Sequence, residues 1–98
     1  MLRIRLHKCG SDVIAAACDS ELAGKTFSEG KVRLKVDEEF YGREDCPEES
    51  LERFLSMCTS ANLTGGRAVR IAIELGYIDE GCVLTVDGVP HAILVAMR

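Results

Sequence analysis

Residues 59–67 read Thr-Ser-Ala-Asn-Leu-Thr-Gly-Gly-Arg and carry the most suggestive local chemistry in the chain. Two glycines directly before a helical pattern leave backbone N–H groups open and let an anion approach closely. The helix dipole and Arg67 add positive charge at the same point. The ligand this chemistry would take is a phosphate or carboxylate, held by Asn62, Thr64, Gly65, Gly66 and Arg67. Lys25 and His91 join that set if the fold brings them there. The stretch is not a P-loop, because the Gly-Lys-Ser/Thr ending and its upstream glycine are missing. The competing reading is a tight helix–helix junction in which Asn62 or Thr64 caps the second helix.

A second candidate surface comes from two alternating segments. Arg3, Arg5 and His7 alternate with Leu2, Ile4 and Leu6, and Lys31, Arg33 and Lys35 alternate with Val32, Leu34 and Val36. Each predicts a strand with one apolar and one cationic face. Should the two strands share a sheet and register, Arg3, Arg5, Lys31, Arg33 and Lys35 form one patch able to track a phosphate backbone. Base stacking would need rings on that face, and Phe27, Phe40, Tyr41, Phe54 and Tyr77 all lie elsewhere. Nucleic acid would therefore be gripped through phosphates. The alternative is a solvated face that guards the sheet against edge-to-edge aggregation.

Metal and thiol chemistry find little support. Cys9, Cys18, Cys46, Cys58 and Cys82 form no CxxC pair, and His7 with Cys9 has no second spaced pair to complete a four-ligand set. Cys18 and Cys58 sit in apolar patterns that predict burial, and Cys46 lies in an acidic loop that raises a thiol's pKa. His91 opens the last strand, where an edge or core hydrogen-bonding role is the simpler reading than a catalytic base. No catalytic set, metal or cofactor is implied. The start of the chain lacks a continuous apolar stretch, and no run reaches membrane-spanning length, so a reduced, cytoplasmic location is expected.

These residues must be positioned by one small domain. The chain has 98 residues, 47% hydrophobic and 29% charged, which fits a single core spanning 1–98 and excludes wholesale disorder. The net charge of −4 argues against indiscriminate DNA coating. That charge is segregated. Between residues 37 and 53, eight acids face two arginines for a local −6, so the rest of the chain sums to +2 against the total of −4.

The elements follow from the patterns. Leu2–Leu6 and Val13–Cys18 predict a hairpin around Cys9–Asp12, with the second arm interior because both of its faces are apolar or small. Asp19–Gly30 reads as a loop with one helical turn, followed by the strand at 31–36. Pro47 suits the first position of a helix whose Leu51, Phe54, Leu55 and Cys58 share one face. A mostly buried helix is expected from about Gly66 to Leu75, with Gly76 as its left-handed cap. Cys82–Val86, an Asp87-Gly88 turn and Val89–Met97 make a final hairpin. The expectation is an α+β domain with a mainly antiparallel sheet of about five strands, ordered β-β-β-α-α-β-β along the chain, and two helices on one face. The last strand presents Ile93, Val95 and Met97 on one side and Ala92, Leu94 and Ala96 on the other. Both sides need cover, and a homo-oligomer formed through this strand is one way to supply it.

Four motifs carry a family resemblance over nearly the whole chain. They are Glu21-Leu-Ala-Gly-Lys-Thr-Phe-Ser-Glu-Gly30, Glu39-Phe-Tyr-Gly42, Ala61-Asn-Leu-Thr-Gly-Gly-Arg-Ala-Val69 and Gly88-Val-Pro-His-Ala92. In this order they resemble an archaeal family, domain-of-unknown-function family 424, of small cytosolic proteins. The resemblance implies no reaction. It implies a loose association with translation, and hence RNA or a ribosome-associated protein as partner. It points to Gly24-Lys25, Asn62-Leu63-x-Gly65 and His91 as places to look. In that family a Gln commonly follows the His-Ala pair; here Ile93 stands there, which weakens a polar role beside His91. The leading expectation is a non-enzymatic binding module. Its rival is an anion-binding or catalytic site at Asn62–Arg67.

Overall fold

The computed structural model describes residues 1–95. Along the chain run β1 (Leu2–Cys9), β2 (Asp12–Asp19), a 3-10 turn (Ser20–Leu22), β3 (Thr26–Glu29), β4 (Val32–Lys35) and α1 (Glu38–Tyr41). There follow β5 (Asp45–Cys46), α2 (Ser50–Met57), β6 (Ser60–Thr64), α3 (Gly66–Glu74), a 3-10 turn (Glu80–Cys82), β7 (Leu84–Val86) and β8 (Val89–Val95). Six strands form one sheet in the order β5-β1-β2-β6-β8-β7, and β3 and β4 form a separate hairpin. The α+β class, the largely antiparallel sheet and the two helices on one face stand as expected.

Several expectations are corrected. Residues 26–29 are a strand paired with β4, where a loop was expected. Residues 60–64 are a strand, where a helix–helix junction was expected, and β6 lies parallel to β2 and antiparallel to β8. A helix from Pro47 becomes a turn, with Ser50 N–H donating to the Pro47 carbonyl, and α2 starts at Ser50. The last strand is described to Val95; Ala96 and Met97 lie outside the described residues.

Strand β2 is the centre of the sheet, and its alanines explain the packing. Ala15 and Ala17 face one layer and Ala16 and Cys18 the other, all fully buried. Small side chains on the central strand let both layers approach closely. On the first face, Leu2, Ala61, Leu63 and Ala92 from the sheet meet Leu51 and Leu55 of α2 and Ala68, Val69 and Ala72 of α3. On the second face, Val36 and Tyr41, with Leu22, Ala23, Phe27 and Phe40 beside them, pack over Ala16 and Cys18. The hairpin and α1 thus cover part of that face.

The Asp87-Gly88 turn is as expected. Both residues have positive φ (51° and 79°), the geometry of a type I′ turn, and Val86 pairs directly with Val89. The Glu29 carboxylate accepts from Asp87 N–H at 2.9 Å, which ties the β3–β4 hairpin to the far edge of the sheet.

The start of α3 depends on a residue remote in sequence. Its N-cap is Gly65, which has no side chain to cap with, at φ 105°. The Asp19 carboxylate, at the end of β2, accepts from Arg67 N–H at 3.1 Å and Ala68 N–H at 3.0 Å. Those are the two donors an N-cap side chain normally satisfies. A Cβ on residue 65 would sit 2.4 Å from Asp19 Cγ, so the glycine makes the room that the carboxylate occupies. Asp19→Ala should cost about 2 kcal/mol of unfolding free energy, since two helix N–H groups lose their partner. Gly65→Ala should cost about 3 kcal/mol, because it adds both a disfavoured φ and a clash. Urea denaturation of the two variants measures both losses.

Candidate functional site

The residues proposed for the anion site are partly brought together. Thr64 and His91 are directly opposite in β6 and β8, and Gly65 N–H donates to the Pro90 carbonyl at 2.8 Å. Asn62 lies two residues along the same face of β6, opposite Ile93. Lys25 is exposed before β3, its backbone bonded to Leu22 and Val36. The helix N-terminus itself already holds an anion, the Asp19 carboxylate. Arg67, in turn, pairs through its guanidinium with Glu21. The bond from its own backbone N–H and, less strongly, the Arg67 pairing hold the Glu21 carboxyl below its ordinary value. An external anion would have to displace Asp19 to reach the Arg67 and Ala68 N–H groups. Neither Asn62 nor Thr64 caps α3, because both belong to a strand.

Thr64 has a different task. It is fully buried, with Tyr41 Oη at 2.9 Å on one side of its Oγ1 and His91 Nδ1 at 3.0 Å on the other. A proton count sets the direction of this chain. Among the described residues Thr64 is the partner of the buried Tyr41 hydroxyl, so Tyr41 donates to Thr64 rather than leave its own proton unsatisfied. Thr64 is then left to donate to His91 Nδ1 in the tautomer that carries the imidazole proton on Nε2. Burial lowers the His91 pKa below its ordinary value, consistent with a neutral ring. Burial also raises the Tyr41 hydroxyl, and the Thr64 contact partly opposes that rise. The neighbouring Cys18 thiol is pushed up to about 12, chiefly by burial, and is inert as a nucleophile at neutral pH. The chain locks α1 to the sheet. Sequence reasoning named Thr64 and His91 but not Tyr41 or Asp19, because the linking contacts run between residues 23, 27 and 48 positions apart.

The two cationic strand faces do not join. β1 lies in the main sheet and β4 in the separate hairpin. On β1 the charges are already engaged. Arg3 pairs with Asp45 at 3.2 Å and with Glu38 at 3.3 Å, both from the acidic segment. The Ser20 hydroxyl and Arg3 together hold the Asp45 carboxyl low. Arg5 donates to the Glu39 carbonyl at 2.8 Å, and His7 stacks on Phe40 with ring centroids 4.8 Å apart. The acidic segment is therefore less a solvated face than a partner for β1.

The hairpin differs. Phe27 and Leu34 turn inward, while Thr26, Ser28, Arg33 and Lys35 form its outer face. Lys25, Lys31, Arg33 and Lys35 are all exposed, and among the described residues none of their side chains takes an ion pair or hydrogen bond. Among those residues no group of His, Cys, Asp and Glu is arranged to hold a metal ion, and no helix is long and apolar enough to cross a membrane. Cys46, expected to be raised by neighbouring acids, is raised first by burial and then by Asp45. On the helix side, a groove of about 560 Å³ runs between α3 and Val83, floored by Val69, Ile73 and Pro90, with Arg70, Glu74 and Glu80 at its edges. None of the strand cations reaches it.

Fold and site together define a small α+β sandwich with a cationic hairpin laid over one sheet face. The chain belongs to a family of proteins of unknown function, DUF424, whose model matches residues 7–97. The fold is also that of an uncharacterized conserved protein from Methanopyrus kandleri, with a TM-score of 0.77 at 20% identity over 99% of this chain and 94% of the other. No curated protein matches the sequence.

The His91 environment gives a pH signature. Because the folded pKa is depressed, the unfolded chain takes the proton first as pH falls. His91 therefore contributes stability that is complete above its ordinary value of 6.5 and is lost as pH drops towards the folded value. The melting temperature should decline from about pH 7 to about pH 5, and His91→Gln should flatten that decline. Thermal melts across the range, compared between the two proteins, check this.

Proposed function

We propose that this protein is a non-enzymatic binding module that grips the phosphate backbone of RNA with the outer face of its β3–β4 hairpin. The observation that supports this reading is the set of four unpaired, exposed cations, Lys25, Lys31, Arg33 and Lys35, on a hairpin whose apolar side is anchored to the sheet. Cations already paired within a protein cannot replace the counterions of a polyanion without losing those partners, whereas unpaired ones can. Arg3 belongs to the first kind and Arg5 is tied to the Glu39 backbone carbonyl, so the contact surface contracts from two strands to one. The association with translation that the sequence resemblance implies fits an RNA partner.

The charge distribution narrows the partner. With a net charge of −4 the chain as a whole repels a polyanion, and attraction acts only where the cations lie beyond the screening reach of the acidic segment. A short strand that touches only the hairpin suits this surface better than a long duplex.

Charge reversal tests the reading. The double variant Arg33→Glu/Lys35→Glu should weaken binding to a single-stranded RNA of about ten nucleotides by at least about tenfold, measured by fluorescence anisotropy at low salt. Arg53→Glu, on α2 at the opposite layer, should leave the affinity unchanged. Equal affinity of the hairpin variant and the wild type would remove the hairpin from the contact.

A further inference from the structure

The second face of the sheet is only half covered. Side chains on this face run in rows across the strands, set by the register: Arg3, Cys18, Thr64, His91 and Leu84 in one row, then Arg5, Ala16, Asn62 and Ile93, then His7, Ile14, Ser60 and Val95, with Arg5 and His7 engaged by α1. The hairpin and α1 lie over the Val86 and Val89 end and over Cys18 and Ala16, all of which are buried. Beyond that cover, Leu84, Ile93 and Val95 are 54%, 60% and 68% exposed. Among the described residues the side chains that β6 and β8 place on the open part are uncharged, and Asp12 of β2, one row beyond Ile14, accepts from the Thr59 hydroxyl.

We infer that this open half-face is a base platform, and that the RNA bound by the hairpin is single-stranded, with its unpaired bases laid on Ile93, Val95 and Leu84. The inference rests on the phosphate-binding role proposed for the hairpin. Three observations carry it. The first is charge complementarity: the Glu29–Asp87 bond ties the hairpin to the β7–β8 turn, so the unpaired cations and the uncharged side chains of β6 and β8 lie on the same side of the sheet. Phosphates go to the cations and uncharged bases to the uncharged side chains.

The second is the polar strip on β6. Asn62 and Ser60 are half-buried on this face, and among the described residues their side chains take no hydrogen-bond partner. A carboxamide offers both a donor and an acceptor, which is what the edge of an unpaired base requires. The third is spacing. Ile93 and Val95 project from the same side of β8 about 6.6 Å apart, about the stride of one nucleotide in an extended strand. The platform is aliphatic, so each base is held by apolar contact and edge hydrogen bonds, without ring stacking.

The missing ring supplies the test. Ile93→Tyr places an aromatic on the platform and should tighten binding to a ten-nucleotide single strand by about fivefold or more, since base–aromatic stacking exceeds aliphatic contact. Ile93→Ser/Asn62→Ala should weaken it several-fold, and neither variant should change the weaker binding of the matching duplex. Ile93 and Asn62 are not fully buried, so both variants keep the fold, and circular dichroism confirms that. If Ile93→Tyr and Ile93→Ser/Asn62→Ala bind the single strand like wild type while Arg33→Glu/Lys35→Glu still fails to bind, the platform is overturned and the hairpin reading stands. If the hairpin variant also binds normally, both fall. If sedimentation shows a dimer that Ile93→Ser/Asn62→Ala dissociates with RNA affinity unchanged, the face belongs to a second copy, and the platform is again overturned.

Discussion

One carboxylate ties the fold together. Asp19 ends the central strand, caps the helix that follows the parallel strand, and fills the space left by the missing side chain of Gly65. A parallel neighbour such as β6 cannot be reached from β2 by a tight turn, so the intervening chain must travel out and return. The β3–β4 hairpin, α1, β5 and α2 are that excursion. Its return is registered where Gly65 meets Asp19, with Thr64 directly opposite Cys18. The same row places Thr64 under Tyr41 and beside His91, so the interaction that starts α3 also positions the hydrogen-bonded chain that fastens α1 to the sheet.

The excursion also sorts the charges. Its acidic part folds back onto β1, where Glu38 and Asp45 take Arg3 and the Glu39 carbonyl takes Arg5. Exposed pairs of this kind add little stability. Their effect is on the surface: they engage Arg3 and Arg5 and leave the hairpin as the place where four unpaired cations cluster. The proposed phosphate-binding face then stands on a chain of net charge −4 that does not attract polyanions over its whole surface.

What the sequence reveals follows the range of the interactions. Alternation in Leu2–Leu6 and 31–36, the Asp87-Gly88 turn, and the apolar face Leu51, Leu55 and Cys58 are local signals, and each corresponds to an element or a buried face. Strand β6 was hidden because Ser-Ala-Asn-Leu-Thr has weak strand propensity and an open polar side, and the following glycines imitate a loop. Strand β3 was hidden because Phe27 is its one large apolar residue. The basic residues were visible as types. Which of them stay unpaired depends on Glu38, Glu39 and Asp45 arriving from more than thirty positions away, and no local pattern encodes that. The cap by Asp19 is of the same kind: Gly65 shows that a side chain is missing, and only the fold shows which residue replaces it.

The salt dependence of wild-type RNA binding tests the account most directly, because it counts the cations that exchange counterions for phosphate. For a single strand each such cation contributes about −0.7 to the slope of log affinity against log salt, so the four on the hairpin predict a slope of about −3. A slope near zero would contradict a phosphate contact at the hairpin. One near −4, the value for six cations, would contradict the conclusion that Arg3 and Arg5 are held in their own contacts with residues 38–45.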